Sequence, residues 1–173
     1  LIHIHNIHGY FINIQLLFEF LKKSNIPVIL TLHDCWAFTG HCSFFTDKNC
    51  KKWEKHCTEC PQIRNYPSSY FHDNSYKNFD RKRALFTSFD NLTLVTVSKW
   101  LERTVSSSFL KEIKKITIYN GVDIKVFSGQ KTGGLKLKYG IQDKFVIVGV
   151  ANIWTNRKGL EDFYLLSRIM DSD

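Results

Sequence analysis

The chain is short of the residues that break or loosen structure. Its 173 residues include only 3 prolines, 9 glycines and a single methionine, Met170. That scarcity excludes a disordered tail, a collagen-like repeat and a low-complexity linker. Long hydrophobic runs are missing too. The longest candidate, residues 145–154, is interrupted by Gly149 and Asn152 and falls short of the ~18 apolar residues that a membrane span requires. The opening LIHIHN has neither a charged segment nor a small-residue cleavage site, so it does not read as a secretory signal. Neither a GxGxxG nor a Walker A pattern occurs, which leaves dinucleotide and P-loop readings without support. The chain does not begin with Met, and its last stretch, GLEDFYLLSRIMDSD, reads as an amphipathic helix with no cap. Both ends therefore look cut, and a fragment of a longer product is expected.

What is present suits a folded α/β protein. Hydrophobic residues make up 43% and aromatics 14% of the chain, ample material for a core, and the length fits one domain or one domain plus part of a second. The net charge of +8 favours anionic partners. Its lysines and arginines are dispersed with no accompanying nucleic-acid motif, so no nucleic acid is expected as a partner.

Residues 1–5, 28–33, 92–98 and 145–151 are continuous apolar runs rich in β-branched residues, the pattern of buried parallel strands; 116–119 is a shorter one. Helical spacing predicts helices over residues 11–23, closed by Pro27, over 76–89, and over 99–105 with Ser98 as N-cap. Alternating strands and helices predict a Rossmann-like parallel sheet with helices on both faces. Two stretches break the rhythm. Residues 34–75 form a Cys-rich insertion, whose Trp36, Phe38, Phe44, Phe45 and Trp53 read as a small core of its own. Residues 128–144 hold several glycines and read as an interdomain linker. The expected division is thus 1–127 as a first domain, 128–144 as linker, and 145–173 as the start of a second α/β unit.

In an open parallel sheet, ligands bind at the C-terminal ends of the strands. His5 and Asn6 end the first strand, His33 and Asp34 the second, and Asn120 follows the strand before the linker. Asn152 ends the strand expected in the second domain, with Arg157-Lys158-Gly159 after it. Polar side chains at several strand ends outline a cleft between two domains. His3 and His5 share a face of their strand, and His3 reads as a packed histidine. Asp34 is placed either to orient His33 or to cap a turn.

Five segments in order, TLHDCWAFTGHC, CPQIRNYP, LVTVSKWL, IYNGVD and ANIWTNRKGLEDF, resemble the retaining glycosyltransferases of family 4, most closely the subgroup that makes bacterial exopolysaccharide or lipopolysaccharide sugars of the colanic-acid type. The resemblance runs over essentially the whole chain. It implies a GT-B fold of two Rossmann-like domains, with residues 1–127 as the truncated acceptor side and 145–173 as the incomplete nucleotide-sugar side. It implies transfer of a sugar from a nucleotide-diphosphate donor to a glycan or lipid-linked acceptor, in the cytoplasm or peripherally at the inner face of the plasma membrane. No catalytic metal is required, because protein donors neutralise the leaving diphosphate.

Residue by residue, His33 matches the family's histidine at the cleft, where an imidazole stabilises an oxocarbenium-like state or holds the donor sugar. Lys158 matches the lysine that clamps the leaving diphosphate, with Arg157 beside it. Asn152 stands where the family often has Arg, so phosphate binding leans on Lys158. His5, Asn6, Asp34 and Asn120 are cleft-lining candidates. The family's Gly-rich loop and paired-glutamate motif are not present in these residues, so the fragment alone is expected to be inactive.

The cysteines make a separate case. Of five, Cys42, Cys50, Cys57 and Cys60 crowd one segment that ends in C-x-x-C-P. Four thiols match the four ligands of tetrahedral Zn²⁺, so a structural zinc is expected to staple the insertion, with His41 and His56 as substitute ligands. Two disulfides, or reduced free thiols, are the rivals. A second reading of the whole chain follows: a non-catalytic, zinc-stapled α/β module that binds acidic partners.

Overall fold

The computed structural model describes residues 1–128 and 133–170. They form two compact units, Leu1–Asn120 and Gly121–Asp173.

The first unit is built on four parallel strands in sequential order: β1 (Ile2–His5), β2 (Val28–Leu32), β3 (Leu92–Thr96) and β4 (Lys115–Thr117). Ile2 pairs with Val28, Val28 with Leu92, and Leu94 with Lys115. Helix α1 (Ile14–Ser24) joins β1 to β2, α2 (Ser75–Phe86) precedes β3, and α3 (Lys99–Ser106) joins β3 to β4.

Local chemistry sets the helix ends. Asn13 caps α1: its Oδ1 accepts from the N–H groups of Gln15 and Leu16 at 3.0 and 3.3 Å. The helix therefore starts after the expected position, and Phe11 stays outside it, 70% exposed. Asn25, in the left-handed region at φ 51°, closes the other end. Ser98 caps α3 as the sequence predicts, its hydroxyl accepting from Leu101 N–H at 3.2 Å.

The sheet's two faces differ. Residues in register share a face, so Ile2, Ile4, Val28, Leu30, Leu32, Leu92 and Leu94 line one side. All of them pack in or against a single core with Ile14, Phe18 and Leu21 of α1, Leu85 and Phe86 of α2, and Leu101 and Val105 of α3. The opposite face carries His3, His5, Ile29, Thr31, Thr93 and Val95, and Val95 lies outside that core. The α/β architecture with a parallel sheet is Rossmann-like, but the expected helices on both faces are corrected to helices on one. Right-handed crossovers between strands laid down in sequential order all fall on the same side.

The insertion contains three short 3-10 turns, Trp36–Phe38, Thr46–Lys48 and Lys52–Glu54. Its aromatic residues do not make a core of their own. Phe38, Phe45 and Trp53 are buried in the same cluster as the sheet, with Phe45 stacked on Trp53 at 4.7 Å between ring centroids.

The second unit holds α4 (Ile124–Phe127), α5 (Gly133–Lys138), a 3-10 turn at Asn156–Lys158 and α6 (Leu160–Ile169). Residues 129–132 of the expected linker and 171–173 of the expected last helix lie outside the described residues. Residues 145–151 form no strand. A strand needs a partner to receive its backbone hydrogen bonds, and Phe145, Val148 and Val150 instead stand 82, 72 and 91% exposed. None of the described residues of this unit is buried.

Candidate functional site

The strand ends of the first unit bring several predicted residues together. β1 and β2 pair His5 with Thr31, and two residues on from Thr31 His33 leaves the sheet beside His5. His5 Nδ1 and His33 Nε2 lie 3.0 Å apart in a hydrogen bond, with their rings stacked at 5.3 Å. His3 sits against His5 at 4.3 Å and bonds through Nε2 to the Thr31 hydroxyl at 2.8 Å. His3, His5 and His33 are all exposed. Partial desolvation, and then the neighbouring His3 and His33, hold His5 below the ordinary imidazole range.

Asp34 does not orient His33. One carboxylate oxygen faces His8 Nε2 at 3.3 Å, and the other accepts from the N–H of Trp36, the first residue of the first 3-10 turn, at 2.9 Å. Asn6, His8, His33 and Asp34 line one narrow crevice at the strand tips. Asn6 reaches it with a left-handed backbone, φ 38°. Asn120 is exposed where the first unit ends.

His8 and Trp36 also line a larger cavity of about 610 Å³. Its wall includes Tyr10 and Asn13 from the segment leading into α1, His41 from the insertion, and Arg81 and Lys82 from α2. Sequence reasoning missed His8, His41 and Lys82 as parts of such a wall. For Lys82 a signal was present. Phe79, Lys82, Leu85 and Phe86 fall at helical spacing on one stripe, so a lysine occupies a core-facing position. Lys82 is 2% exposed, and Nζ donates to the carbonyls of Trp36 at 2.7 Å and Thr39 at 2.9 Å while lying 3.6 Å from the Trp36 ring centroid. Burial drives its pKa well below the usual lysine range.

In the second unit, Arg157 and Lys158 occupy the exposed 3-10 turn that Gly159 ends at φ 76°. Asn152 is exposed in the same unit. Glu161 and Asp162 fill the first turn of α6 and neutralise its positive dipole end, so an anion here would rest on the side chain of Lys158.

The cysteines are all free thiols. Burial pushes Cys35 up to about 12, an unreactive thiol in the core. Cys42, Cys50, Cys57 and Cys60 line a single small cavity with His41. Among the described residues, however, no three His, Cys, Asp or Glu side chains surround a common point closely enough to hold a metal ion. His56 is engaged elsewhere, with Nε2 on Asp80 at 2.8 Å. His41 is buried, and its Nε2 has no hydrogen-bond partner among the described residues.

Comparison with known proteins adds one relation. Over 90 residues the chain is 34% identical to "Putative colanic acid biosynthesis glycosyl transferase WcaC" of Escherichia coli (strain K12). The match takes in 49% of this chain and 22% of that protein, so the chain spans about a fifth of the relative's length. No family model matches, and no solved structure matches.

Proposed function

We propose that the chain supplies the acceptor-side sheet, and the opening of the donor side, of a retaining glycosyl transferase of family 4 with a GT-B fold. Its reaction moves a sugar from a nucleotide-diphosphate donor to a glycan or lipid-linked acceptor in cell-surface polysaccharide synthesis. The 34% identity over 90 residues to the colanic acid protein carries this reading. The His5–His33 pair, exposed at the strand ends, supports it, as does a cavity large enough for a sugar that shares His8 and Trp36 with the crevice His33 lines.

Glycosyl transfer passes through an oxocarbenium-like state while a diphosphate leaves. Of the two ring nitrogens of His33, Nε2 is taken by His5, so Nδ1 is the atom left to meet a sugar oxygen. Lys158 supplies positive charge to the departing diphosphate, with Arg157 adjoining it and Asn152 offering an uncharged amide. That division of labour asks for no catalytic metal. The acceptor side is assigned to the cavity walled by His8, Tyr10 and Arg81. A cytoplasmic site, with the protein held peripherally at the inner face of the plasma membrane, suits a lipid-linked acceptor. No helix among the described residues is long and apolar enough to cross a membrane.

The test is a transfer assay on the complete product of the reading frame that contains these residues, with a panel of nucleotide sugars and membrane-extracted glycan lipids. His33→Ala is expected to abolish turnover. Lys158→Ala is expected to lose about 2–4 kcal/mol of transition-state stabilisation, the scale of one charge-stabilising donor, with partial recovery in Lys158→Arg. Wild-type kcat/KM in Lys158→Ala would remove the phosphate role. Absence of transfer with every donor would leave the non-catalytic binding module as the better reading.

A further inference from the structure

The cysteine cluster, unused by sugar transfer, is the site that carries a further inference. Cys42, Cys50, Cys57 and Cys60 reach one cavity from the three segments that follow the insertion's 3-10 turns. The side chains of Cys42 and Cys60 are hydrogen-bonded to each other, and Cys50 and Cys57 stand within electrostatic range of Cys42. The C-x-x-C turn holds Glu59 in the left-handed region at φ 44°, which bends the chain back so that Cys57 and Cys60 reach the same cavity.

Two further features surround the sulfurs. Backbone N–H groups are aimed at sulfur, from Gly40 to Cys57 and from Gln62 to Cys60. Gly40 is held there by contact: a Cβ on it would lie 2.6 Å from that of Cys57 and would also strike the Ser75 carbonyl. The second feature is cationic. Lys82 is buried with both its hydrogen bonds on main-chain carbonyls, and it lies near Cys57, Cys42 and Asp34. Lys52 Nζ donates to the carbonyls of Thr58 and Glu59 within the C-x-x-C turn, at 2.8 and 3.0 Å. One buried and one surface lysine thus flank four sulfurs.

We propose that Cys42, Cys50, Cys57 and Cys60 bind one structural Zn²⁺ as a closed tetrathiolate site. Four thiols release four protons as the ion enters, and the resulting centre carries two negative charges, which Lys82 and Lys52 offset. The sulfurs share a cavity without yet surrounding one point, so binding requires Cys42 to give up its bond to Cys60 and both side chains to turn onto the ion. With four protein ligands no position is open for water, so the zinc is structural. This site stands or falls independently of sugar transfer.

The experiment is metal analysis of the 173-residue chain, purified under reducing conditions without added zinc. One zinc per chain is expected. It should be released in step with modification of the cluster thiols by an organomercurial and retained in Cys35→Ser. Cobalt exchanged into the wild-type chain should show thiolate-to-metal charge-transfer bands, a readout that does not depend on a cysteine variant folding. Three results would each overturn the site: zinc well under one equivalent in reduced protein after reconstitution, a mass short of four hydrogens from two disulfides, or iron in place of zinc.

Discussion

A hydrogen bond between two imidazoles needs one of them to keep a bare nitrogen, and His5 and His33 are joined by such a bond at 3.0 Å. Protonating both rings breaks it. His5 titrates below its usual range in the folded chain, and so does His41, chiefly through burial. The unfolded chain then binds more protons than the folded one as pH falls through the ordinary imidazole value of about 6.5. The stability these two histidines confer is present above that value and is lost as pH falls through their lower folded values. Denaturant midpoints measured from pH 7.5 to pH 5 should fall, and a His5→Gln, His41→Gln double variant should lose part of that slope. An unchanged slope would remove both imidazoles from the account. Both histidines were visible in the sequence, but their pairing was not. His5 and His33 are 28 residues apart, and only the parallel register of β1 on β2 brings them together.

Among the elements, α1 and the insertion show where local and tertiary causes divide. The end of α1 is local: Asn13 accepts two N–H bonds, and Asn13→Ala should cost about 1 kcal/mol by chemical denaturation. A variant as stable as wild type would show that packing of Phe18 and Leu21 alone sets the helix. The insertion depends on contacts distant in sequence. In sequence its aromatics suggest a separate small core. Phe38, Phe45 and Trp53 instead extend the core of the sheet, and Lys82 ties the first turn to α2 through the carbonyls of Trp36 and Thr39. Helical spacing puts residue 82 on the stripe of Phe79, Leu85 and Phe86, while its neighbours Arg81 and Arg83 give it the look of surface charge. The carbonyls that accept its bonds lie more than 40 residues upstream, so no local pattern announces them.

For the whole molecule, the net charge of +8 meets a set of exposed aromatics near the large cavity. Tyr10, Phe11, Tyr66, Tyr70 and Phe71 are 54 to 91% exposed, and Arg64 lies over the Tyr70 ring at 5.9 Å. Aromatic side chains with neighbouring cations suit an anionic lipid surface. Co-sedimentation with vesicles containing phosphatidylglycerol should therefore weaken as salt rises from 50 to about 500 mM, because surface charge is screened over a Debye length of some 10 Å at 0.1 M. A Phe11→Ser, Phe71→Ser variant should bind several-fold less. Binding indifferent to salt would count against the electrostatic part, and binding indifferent to the substitutions would count against the aromatic part.

By itself the sequence determined the parallel strands of the first unit, the N-cap of α3, and the place of His5, Asn6, His33 and Asp34 at the strand tips. Continuous β-branched runs, side-chain caps and strand-end position are all short-range signals. It also singled out the four cysteines by spacing. The tertiary structure decided that the helices cover one face, since strand order is a property of pairing and not of any single strand. It decided that Asp34 serves His8 and a turn instead of His33. It also left residues 145–151 without a ladder, because β-propensity becomes a strand only when another backbone is there to receive its hydrogen bonds.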